Sequence, residues 1–409
     1  MIRRRHFMAG MAVGAVGLSA CREAAQSTQA SPAATPSRTT GQPARGRVLT
    51  RTELEDAIKG SSYLGCGGGG KLSTARELIV EDLAAGLEFR LLPVSELADD
   101  DRVGCPYGLG STAPITEEME VKLEASPNRI EAVSQAAFQH LEEQLGTEFA
   151  GVIMGEIGPL SLAEGLSTAA RLGRAALDAD TVGRAVPEIN QHSVKVAGVS
   201  LVPASAATQF GDKLVLHEVG DPTRAEDVFR AISVASRVIG ITDSPLTGTI
   251  AKRPGVLVQD SVSLAMRIGA AARTGGIDAA RDAGEGWTLF EGVVRDWEWG
   301  DEDGFLVGKV FLDGKDGFTG QAMELDYKNE FLVARRDGEV VATCPDLITL
   351  IDQATADGIN APDFARGQAV TVLGFKSDPI WRTEAGLDVF SPRYFGYDVD
   401  YIPIEDRLG

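Results

Sequence analysis

The chain is poor in several residues and motifs that identify enzyme classes. It has four cysteines among 409 residues, too few for a disulfide scaffold in a protein of this size. It has four histidines, of which three lie beyond residue 20. A three-histidine metal site there would need all three. No Gly-x-Ser-x-Gly or His-Glu-x-x-His sequence occurs. The motifs that usually mark an α/β-hydrolase or a zinc protease are therefore lacking.

Basic residues are also scarce relative to acidic ones. The chain has 39 Lys and Arg against 59 Asp and Glu, which gives a net charge of −20. This excess of negative charge disfavours nucleic acid as a partner. Beyond residue 20 we find no run apolar enough to span a membrane.

The first 20 residues have the layout of a signal peptide. Arginines at positions 3–5 precede an apolar run over residues 7–20, which is too short for a membrane-spanning helix. Residues 18–21, Leu-Ser-Ala-Cys, resemble a bacterial lipobox, and the paired arginines resemble a twin-arginine export signal. We expect lipidation of Cys21 and an exported bacterial lipoprotein, anchored on the periplasmic or extracellular side. An ordinary cleaved signal with a chance cysteine is the alternative.

The rest of the chain divides by composition. Residues 21–49 are rich in small and polar types and predict a flexible linker. Residues 50–285 alternate between helix and strand patterns, which predicts an α/β layered domain. Residues 286–409 contain short β-type runs separated by Asp-Gly turns, which predicts a smaller β-rich domain. The predicted fold class is therefore α/β.

Periodicity places the main elements of the α/β part. A capping box at residues 50–53 begins a helix that ends at the glycine run. Further helices are predicted at residues 73–83, 130–145, 160–172 and 225–238. Strands are predicted at residues 87–92, 150–154, 196–202 and 213–219.

Residues 178–188 concentrate charged and turn-forming side chains. They read Asp-Ala-Asp-Thr-Val-Gly-Arg-Ala-Val-Pro-Glu. In an extended backbone Asp178 and Asp180 share a face. The glycine and the proline favour turns that would bring Arg184 and Glu188 back toward them. The pattern predicts a ligand site, and a solvated loop with a structural ion pair is the alternative.

The next histidine adds a metal hypothesis. His192 lies close enough to join the acidic segment, so Asp178, Asp180 and His192 are candidate ligands for zinc or another divalent ion. Each histidine of the chain, taken alone, is more often structural. Glu156 follows a predicted buried strand, a position typical of catalytic groups, although it could equally cap the next helix.

A glycine run between two predicted helices is the candidate substrate-binding loop. It comprises Cys66, Gly67, Gly68, Gly69 and Gly70. Its backbone N–H groups precede a helix and could hold a negatively charged group. The spacing does not match a P-loop, and close backbone packing is the alternative role.

Four stretches resemble the S-methyl thiohydantoin desulfurase-like family, which is associated with hydantoinase and oxoprolinase proteins. They are residues 65–70, 155–158, 178–188 and 392–401, in order along the chain. The resemblance implies an α/β domain followed by a β-rich domain. It also implies hydrolytic removal of a methylthio group from a five-membered thiohydantoin ring, with zinc. The chain departs from the family pattern at Cys66, Pro159, Ser161 and Val186, and in carrying an export signal.

These observations predict a metal-dependent hydrolase that acts on a small cyclic amide, imide or amidine. The candidate catalytic residues are Glu156, Asp178, Asp180, Arg184 and Glu188. The expected partners are a small ring substrate and, through Cys21, a membrane, with a homo-oligomer also possible. A tethered small-solute binding protein without catalysis and an inactive family member are the alternatives.

Overall fold

The computed structural model describes residues 45–110, 116–221, 224–302 and 304–408. The predicted signal segment, the lipidation site Cys21 and most of the predicted linker lie outside these residues. Among the helices of the described ranges, none combines the length and apolar character needed to cross a membrane.

The first part of the fold is a mixed sheet flanked by helices. Its strands are β1 (Arg47–Val48), β2 (Arg90–Leu92), β3 (Arg102–Gly110), β4 (Gly151–Met154), β5 (Ala175–Asp180), β6 (Ala204–Thr208), β7 (Lys213–Leu216), β8 (Val238–Thr247) and β9 (Val258–Gln259). Its helices are α1 (Arg51–Leu64), α2 (Leu72–Ala84), α3 (Glu117–Glu124), α4 (Val133–Leu145), α5 (Pro159–Arg171), α6 (Ser193–Val196), α7 (Arg224–Ser236), α8 (Gly248–Ala251) and α9 (Ser261–Ala283).

The strand order in this sheet is β1-β2-β5-β4-β3-β8-β6-β7, with β9 paired to β5. Strands β2, β5, β4 and β3 are parallel neighbours, and the remaining pairings are antiparallel. Helices connect the parallel strands, as such pairings require. Strand β5 thus lies inside the sheet, and its carboxyl end opens onto residues 181–192.

The second part is an antiparallel sheet. Its strands are β10 (Trp287–Glu302), β11 (Phe305–Gly314), β12 (Ala322–Lys328), β13 (Glu330–Arg336), β14 (Glu339–Thr343), β15 (Leu347–Asp352) and β16 (Ala369–Phe375), in the order β14-β13-β12-β11-β10-β16-β15. Two short helices follow, α10 (Glu384–Val389) and α11 (Ile404–Leu408). The predicted fold class, an α/β part followed by a β-rich part, is confirmed.

Local sequence signals account for several of these elements. Thr50 accepts a hydrogen bond from the Glu53 backbone at 3.2 Å while the Glu53 carboxylate accepts one from the Thr50 backbone at 2.8 Å, which completes the predicted capping box of α1. Asp337 and Gly338 join β13 to β14 with φ of 51° and 86°. A two-residue hairpin turn of the primed type needs positive φ at both positions.

The predicted strand at residues 196–202 is wrong. Residues 193–196 form α6, and no strand follows until β6. The valines that suggested a strand pack against three different apolar clusters. Val196 packs against the one that contains Trp381, Val199 against the one that contains Cys105, and Val202 against the one that contains Ile239. Their β-branched side chains therefore pack in separate parts of the core, and the backbone of this segment does not pair with a neighbouring strand.

Candidate metal centre

Three buried side chains from distant parts of the chain meet beside the first sheet. They are Cys105, His192 and Asp243, and one possible ligand atom from each lies within 4.8 Å of the other two. None is more than 4% exposed. We call these three residues the Cys-His-Asp cluster.

Strand pairing brings the thiol and the carboxylate together. Cys105 on β3 and Asp243 on β8 are directly opposite in the antiparallel ladder, so their side chains leave the same face of the sheet side by side. Directly after Asp243 the backbone turns at Ser244, which has φ of 50°. The Ser244 N–H donates to the Leu201 carbonyl at 3.0 Å, and this bond fixes the turn.

Hydrogen bonds of the following residue hold the histidine beside that pair. The N–H of Ser193 donates to the Thr181 carbonyl at 2.8 Å, and its hydroxyl donates to the Val256 carbonyl at 2.7 Å. These two bonds tie the residue after His192 to the end of β5 and to the segment before β9. The imidazole is thus placed by its backbone.

The cluster has polar atoms that the protein leaves without partners. Both ring nitrogens of His192 and Oδ1 of Asp243 have no hydrogen-bond partner among the described residues. His192 Nε2 and Asp243 Oδ1 are 3.5 Å apart without the geometry of a hydrogen bond. Burying such atoms unpaired is costly. A divalent ion would satisfy one ring nitrogen of His192 and Oδ1 of Asp243, and sulfur, imidazole nitrogen and carboxylate oxygen together suit zinc.

A second layer of contacts supports this interpretation. The Tyr107 hydroxyl donates to Oδ2 of Asp243 at 2.8 Å. It orients the carboxylate and leaves Oδ1 free, as residues behind metal ligands commonly do. In the protein alone, burial and the nearby charges of Asp243 and Asp180 raise the pKa of the Cys105 thiol well above its usual value. A bound cation would favour the thiolate instead.

Asp180 lies at the end of β5 beside the cluster. Its Oδ2 accepts hydrogen bonds from the backbone of Val182 at 2.9 Å and Gly183 at 2.6 Å. Its Oδ1 has no partner among the described residues. Burial raises the pKa of Asp180 to about 7, although the two backbone bonds and the neighbouring Ser261 hydroxyl oppose the rise. A buried carboxylate that has a free oxygen and such a pKa is suited to proton transfer near neutral pH.

The predicted ligand set needs correction. Of Asp178, Asp180 and His192, only His192 belongs to the Cys-His-Asp cluster. The two oxygens of Asp178 accept hydrogen bonds from the backbone and the hydroxyl of Ser263, at 2.9 and 2.5 Å, in the first turn of α9. Asp178 therefore caps the helix, because N-terminal N–H groups need acceptors.

Arg184 and Glu188 point elsewhere. Arg184 is fully buried and donates to four backbone carbonyls, those of Ala185, Phe331, Pro345 and Asp346, at 2.9–3.2 Å. Three of these carbonyls belong to the second part of the fold. Glu188 binds the Lys328 ammonium at 2.5 Å and the Tyr394 hydroxyl at 2.6 Å. Both side chains link the end of the β5 loop to the second sheet.

Both carboxylate oxygens of Glu156 likewise accept hydrogen bonds. Its carboxylate accepts the Ser161 hydroxyl at 2.7 Å and the Val186 backbone at 2.9 Å. Ser161 lies in the first turn of α5, so the bond ties the loop after β4 to that helix. Of the carboxylates predicted to be catalytic, Asp180 is the one with an unpartnered buried oxygen among the described residues.

The glycine run is filled by the chain itself. A Cβ on Gly68 would lie 1.8 Å from Oε1 of Glu330, and one on Gly69 would lie 2.3 Å from the Gly158 backbone. The Asn360 amide donates to the carbonyls of Gly67, Gly68 and Gly70 at 3.0–3.4 Å. The Cys66 thiol donates to the Leu64 carbonyl at 3.2 Å, and burial raises its pKa to about 11. These residues are therefore closely packed against other parts of the chain, which is the alternative role that the sequence allowed. We call Arg184, Glu330 and residues 67–70 the intersheet cluster.

Cys105 and Asp243 were missed from the sequence because nothing local marks them. The cluster joins residues from β3, β8 and the loop before α6, so no short ligand spacing exists. A cysteine and an aspartate in apolar surroundings were the only available signals, and each more often has a structural role.

Comparison with models of known protein families identifies the family of this chain. A model described as the S-Me-THD-like N-terminal domain matches residues 52–218, and one described as the S-Me-THD-like C-terminal domain matches residues 220–404. The chain belongs to the S-Me-THD-like family. The boundary between the two family models precedes α7, whereas the second sheet begins at Trp287.

A solved structure shares the fold of this S-Me-THD-like chain. It is the crystal structure of a protein from Chromobacterium violaceum, with a TM-score of 0.69 and 24% sequence identity. The match covers 88% of this chain and 100% of that one. At this identity the likeness establishes the fold alone. A search of curated proteins finds no match.

Proposed function

We propose that this S-Me-THD-like chain is a metal-dependent hydrolase. Its substrate would be an S-methyl thiohydantoin or a related small cyclic amide, imide or amidine. The Cys-His-Asp cluster carries the proposal, because three of its buried atoms lack partners among the described residues while its chemistry suits a divalent ion.

The residues at the site would have three roles: metal binding, orientation of a ligand and proton transfer. Cys105, His192 and Asp243 would hold the ion, and Tyr107 keeps the Asp243 carboxylate in one orientation. A divalent ion such as zinc would supply Lewis acidity for the activation of water and the polarisation of the ring. Asp180 accepts a proton from the attacking water, since one of its oxygens is free and its pKa is near neutral.

The reaction balances without an oxidant or reductant. The water oxygen forms a bond to the ring carbon that carries the methylthio group, and the carbon–sulfur bond breaks. The proton taken by Asp180 leaves with the sulfur as methanethiol, the second proton of the water goes to the ring nitrogen as the C=N bond becomes C–NH, and the ring remains as a hydantoin. Burial of the cluster keeps bulk water from competing for the polar atoms that position the reactants.

Metal analysis combined with product detection tests this function. Protein purified without chelators should contain about one divalent ion per chain, and it should release methanethiol from a 5-substituted S-methyl thiohydantoin. Chelation should abolish the release and added zinc should restore it. Absence of stoichiometric metal would contradict the proposal. Substrate recovered unchanged from metal-loaded protein would instead favour a binding protein or an inactive family member.

We further propose that the protein is exported and held at the membrane through lipid on Cys21. The lipobox-like residues 18–21 support this location. Replacing Cys21 with serine in the full-length chain should move the protein from the membrane fraction to the soluble fraction, whereas unchanged partitioning would contradict the anchor.

A further inference from the structure

A second buried polar atom lies beside the free oxygen of Asp180. It is the hydroxyl oxygen of Ser261, a residue that is 2% exposed. This hydroxyl neighbours the Asp180 carboxylate and opposes the rise of its pKa on burial. Yet neither the hydroxyl nor Oδ1 of Asp180 has a hydrogen-bond partner of good geometry among the described residues. Leaving either atom buried and unpaired is costly, so a hydrogen bond between the two would relieve both.

The backbone brings the serine to this position. Strand β9 pairs with β5, and Val258 lies opposite Asp180. Two residues later the chain turns at Asp260, which has φ of 59° and donates its N–H to the Asp178 carbonyl at 2.8 Å. Few residues other than glycine adopt such a backbone conformation. The turn starts α9 at Ser261, so strand pairing and turn together place this serine at the end of β5.

The next serine of α9 gives a contrast. Ser263 donates through its backbone and its hydroxyl to the two oxygens of Asp178, so that carboxylate has a partner on each oxygen. Ser261 lies on the same helix turn, and Asp180 lies on the same strand as Asp178. The Ser261 hydroxyl and Oδ1 of Asp180 remain available, however. The first pair caps the helix, and the second can take part in proton transfer.

A serine hydroxyl suits a carboxyl group that changes its charge. It has one donor and two acceptor lone pairs. It can therefore donate to Oδ1 of the ionised Asp180 and, after a rotation of its hydrogen, accept from the protonated acid. Oδ1 has a second lone pair, which stays open to the proton of the attacking water. The hydrogen bond to the ionised form is the stronger of the two, because charge assists it.

We propose that Ser261 is a positioning residue: its hydroxyl keeps Oδ1 of Asp180 in one orientation before and after the proton moves. The proposal rests on the proposed function, in which Asp180 accepts a proton from water, and it adds a residue to that step. Ser261 acts through Asp180 and needs no contact with the substrate or the ion. Its replacement should therefore alter proton transfer and leave metal binding as it is.

Other groups also act on Asp180. Burial and, from the second part of the fold, the Asp378 carboxylate raise its pKa. The Cys105 thiol of the Cys-His-Asp cluster is itself affected by the charge of Asp180. The backbone N–H groups of residues 182 and 183 donate to Oδ2 and oppose the rise. All of these stay in place when Ser261 alone is changed, so a change in the pKa of Asp180 then reports the serine hydroxyl.

Titration of the Asp180 carboxyl group tests the contact without turnover. Infrared difference spectra of the purified protein against Asp180→Asn isolate this group, and spectra at several pH values give its pKa. Ser261→Ala should raise that pKa by about one unit, because the ionised form loses the stronger hydrogen bond. Ser261→Thr keeps a hydroxyl and should keep the original pKa. An unchanged pKa in Ser261→Ala, or an equal rise in Ser261→Thr, would overturn the proposal.

Ser263→Ala is the matched control. It removes the hydroxyl that donates to Asp178, so it should lower the free energy of unfolding and leave the pKa of Asp180 unchanged. In turnover, Ser261→Ala should lower kcat by about tenfold with KM and metal content unchanged, and its pH profile should move upward with the pKa of Asp180. A loss of stability in Ser261→Ala without either change would show a purely structural serine and refute the positioning role.

The outcomes separate this proposal from the proposed function. If the pKa shift is found and no methanethiol is released, the hydrolase is refuted and the contact between Ser261 and Asp180 stands. If methanethiol is released with the same kcat and pH profile by Ser261→Ala and by the original protein, the positioning role is refuted and the hydrolase stands.

Discussion

The Cys-His-Asp cluster and the intersheet cluster both draw on residues 181–192, yet they differ in how far their buried polar side-chain atoms are hydrogen-bonded. In the former, three atoms of His192 and Asp243 have no partner among the described residues. In the latter, Arg184 donates to four carbonyls and Asn360 holds the glycine run. Satisfied charges hold parts of a fold together, whereas buried unsatisfied atoms indicate a place for a ligand. Charge density along the sequence cannot distinguish the two.

Loss of a cluster ligand should have the largest effect. His192→Ala removes one of three ligand side chains, so we expect metal content to fall below one equivalent and turnover to fall by roughly 1,000-fold or more. Metal analysis and methanethiol release measure the two effects. His217→Ala, at an exposed position, is the matched control and should change neither. If His192→Ala retained a full equivalent of metal, the Cys-His-Asp cluster would not be the metal site and would not differ from the intersheet cluster in metal binding.

Arg184→Met should act on stability and leave the metal in place. It strips four buried carbonyls of their donor, so the free energy of unfolding should fall by roughly 3 kcal/mol or more. Urea unfolding measures the loss, and metal content of the folded protein should stay near one equivalent. The control Arg295→Met removes an exposed ion pair with Asp313 and should cost under about 1 kcal/mol. A similarly small cost for Arg184→Met would show that the intersheet cluster does not hold the sheets together.

Asp180→Asn should affect proton transfer. The ionised carboxylate accepts the proton, so turnover by the original protein should rise with pH through the pKa of Asp180, which is about 7 in the protein alone and lower beside a bound cation. The variant should lose that rising limb and about 100-fold in kcat, with metal content unchanged. A kcat-against-pH profile and metal analysis separate the possibilities. Loss of metal in this variant would restore Asp180 as a ligand, as the sequence first suggested.

The smallest predicted effect concerns the one unsatisfied atom of the intersheet cluster, Oε2 of Glu330. Burial and the neighbouring Glu156 raise the pKa of Glu330 well above its usual value. The protonated acid is thus favoured in the folded state. Its contribution is fully present below the pKa of the unfolded chain, near 4.5, and is lost as pH rises through the folded pKa.

Glu330→Gln should remove this part of the pH dependence. Between pH 5 and 8 the free energy of unfolding of the original protein should fall by about 1 kcal/mol or more relative to the variant. Urea unfolding at several pH values measures the difference. Glu339→Gln, exposed at the start of β14, should leave the dependence unchanged. Parallel curves for Glu330→Gln and the original protein would show that Glu330 is ionised in the fold.

Local signals in the sequence predicted much of the fold. Thr50 and Glu53 begin α1 as expected, and the Asp337-Gly338 turn joins two strands as expected. Strand β3 escaped prediction because Gly104, Pro106 and Gly108 disfavour strands. It nevertheless lies inside the sheet between β4 and β8, where Gly104 leaves room for the Phe149 ring.

The site was only partly predictable. His192 and Asp180 stood in a charged segment that drew attention, but their partners depend on which strands pair. Cys105 meets Asp243 through the β3–β8 register, and register is set by contacts between distant residues. Arg184 was predicted to be catalytic, and its burial against backbone carbonyls could not be inferred without the second sheet.

Strand β5 has a consequence for how active molecules should be counted. Asp178 caps α9, and the free oxygen of Asp180 can accept a proton. Both residues lie on β5, with a single residue between them. A slip of one residue in the pairing of β5 would turn both side chains to the opposite face. Helix capping and proton transfer would then fail in the same molecule. A chain with β5 out of register would therefore lose both functions together, and active-site titration would count only the chains in the correct register.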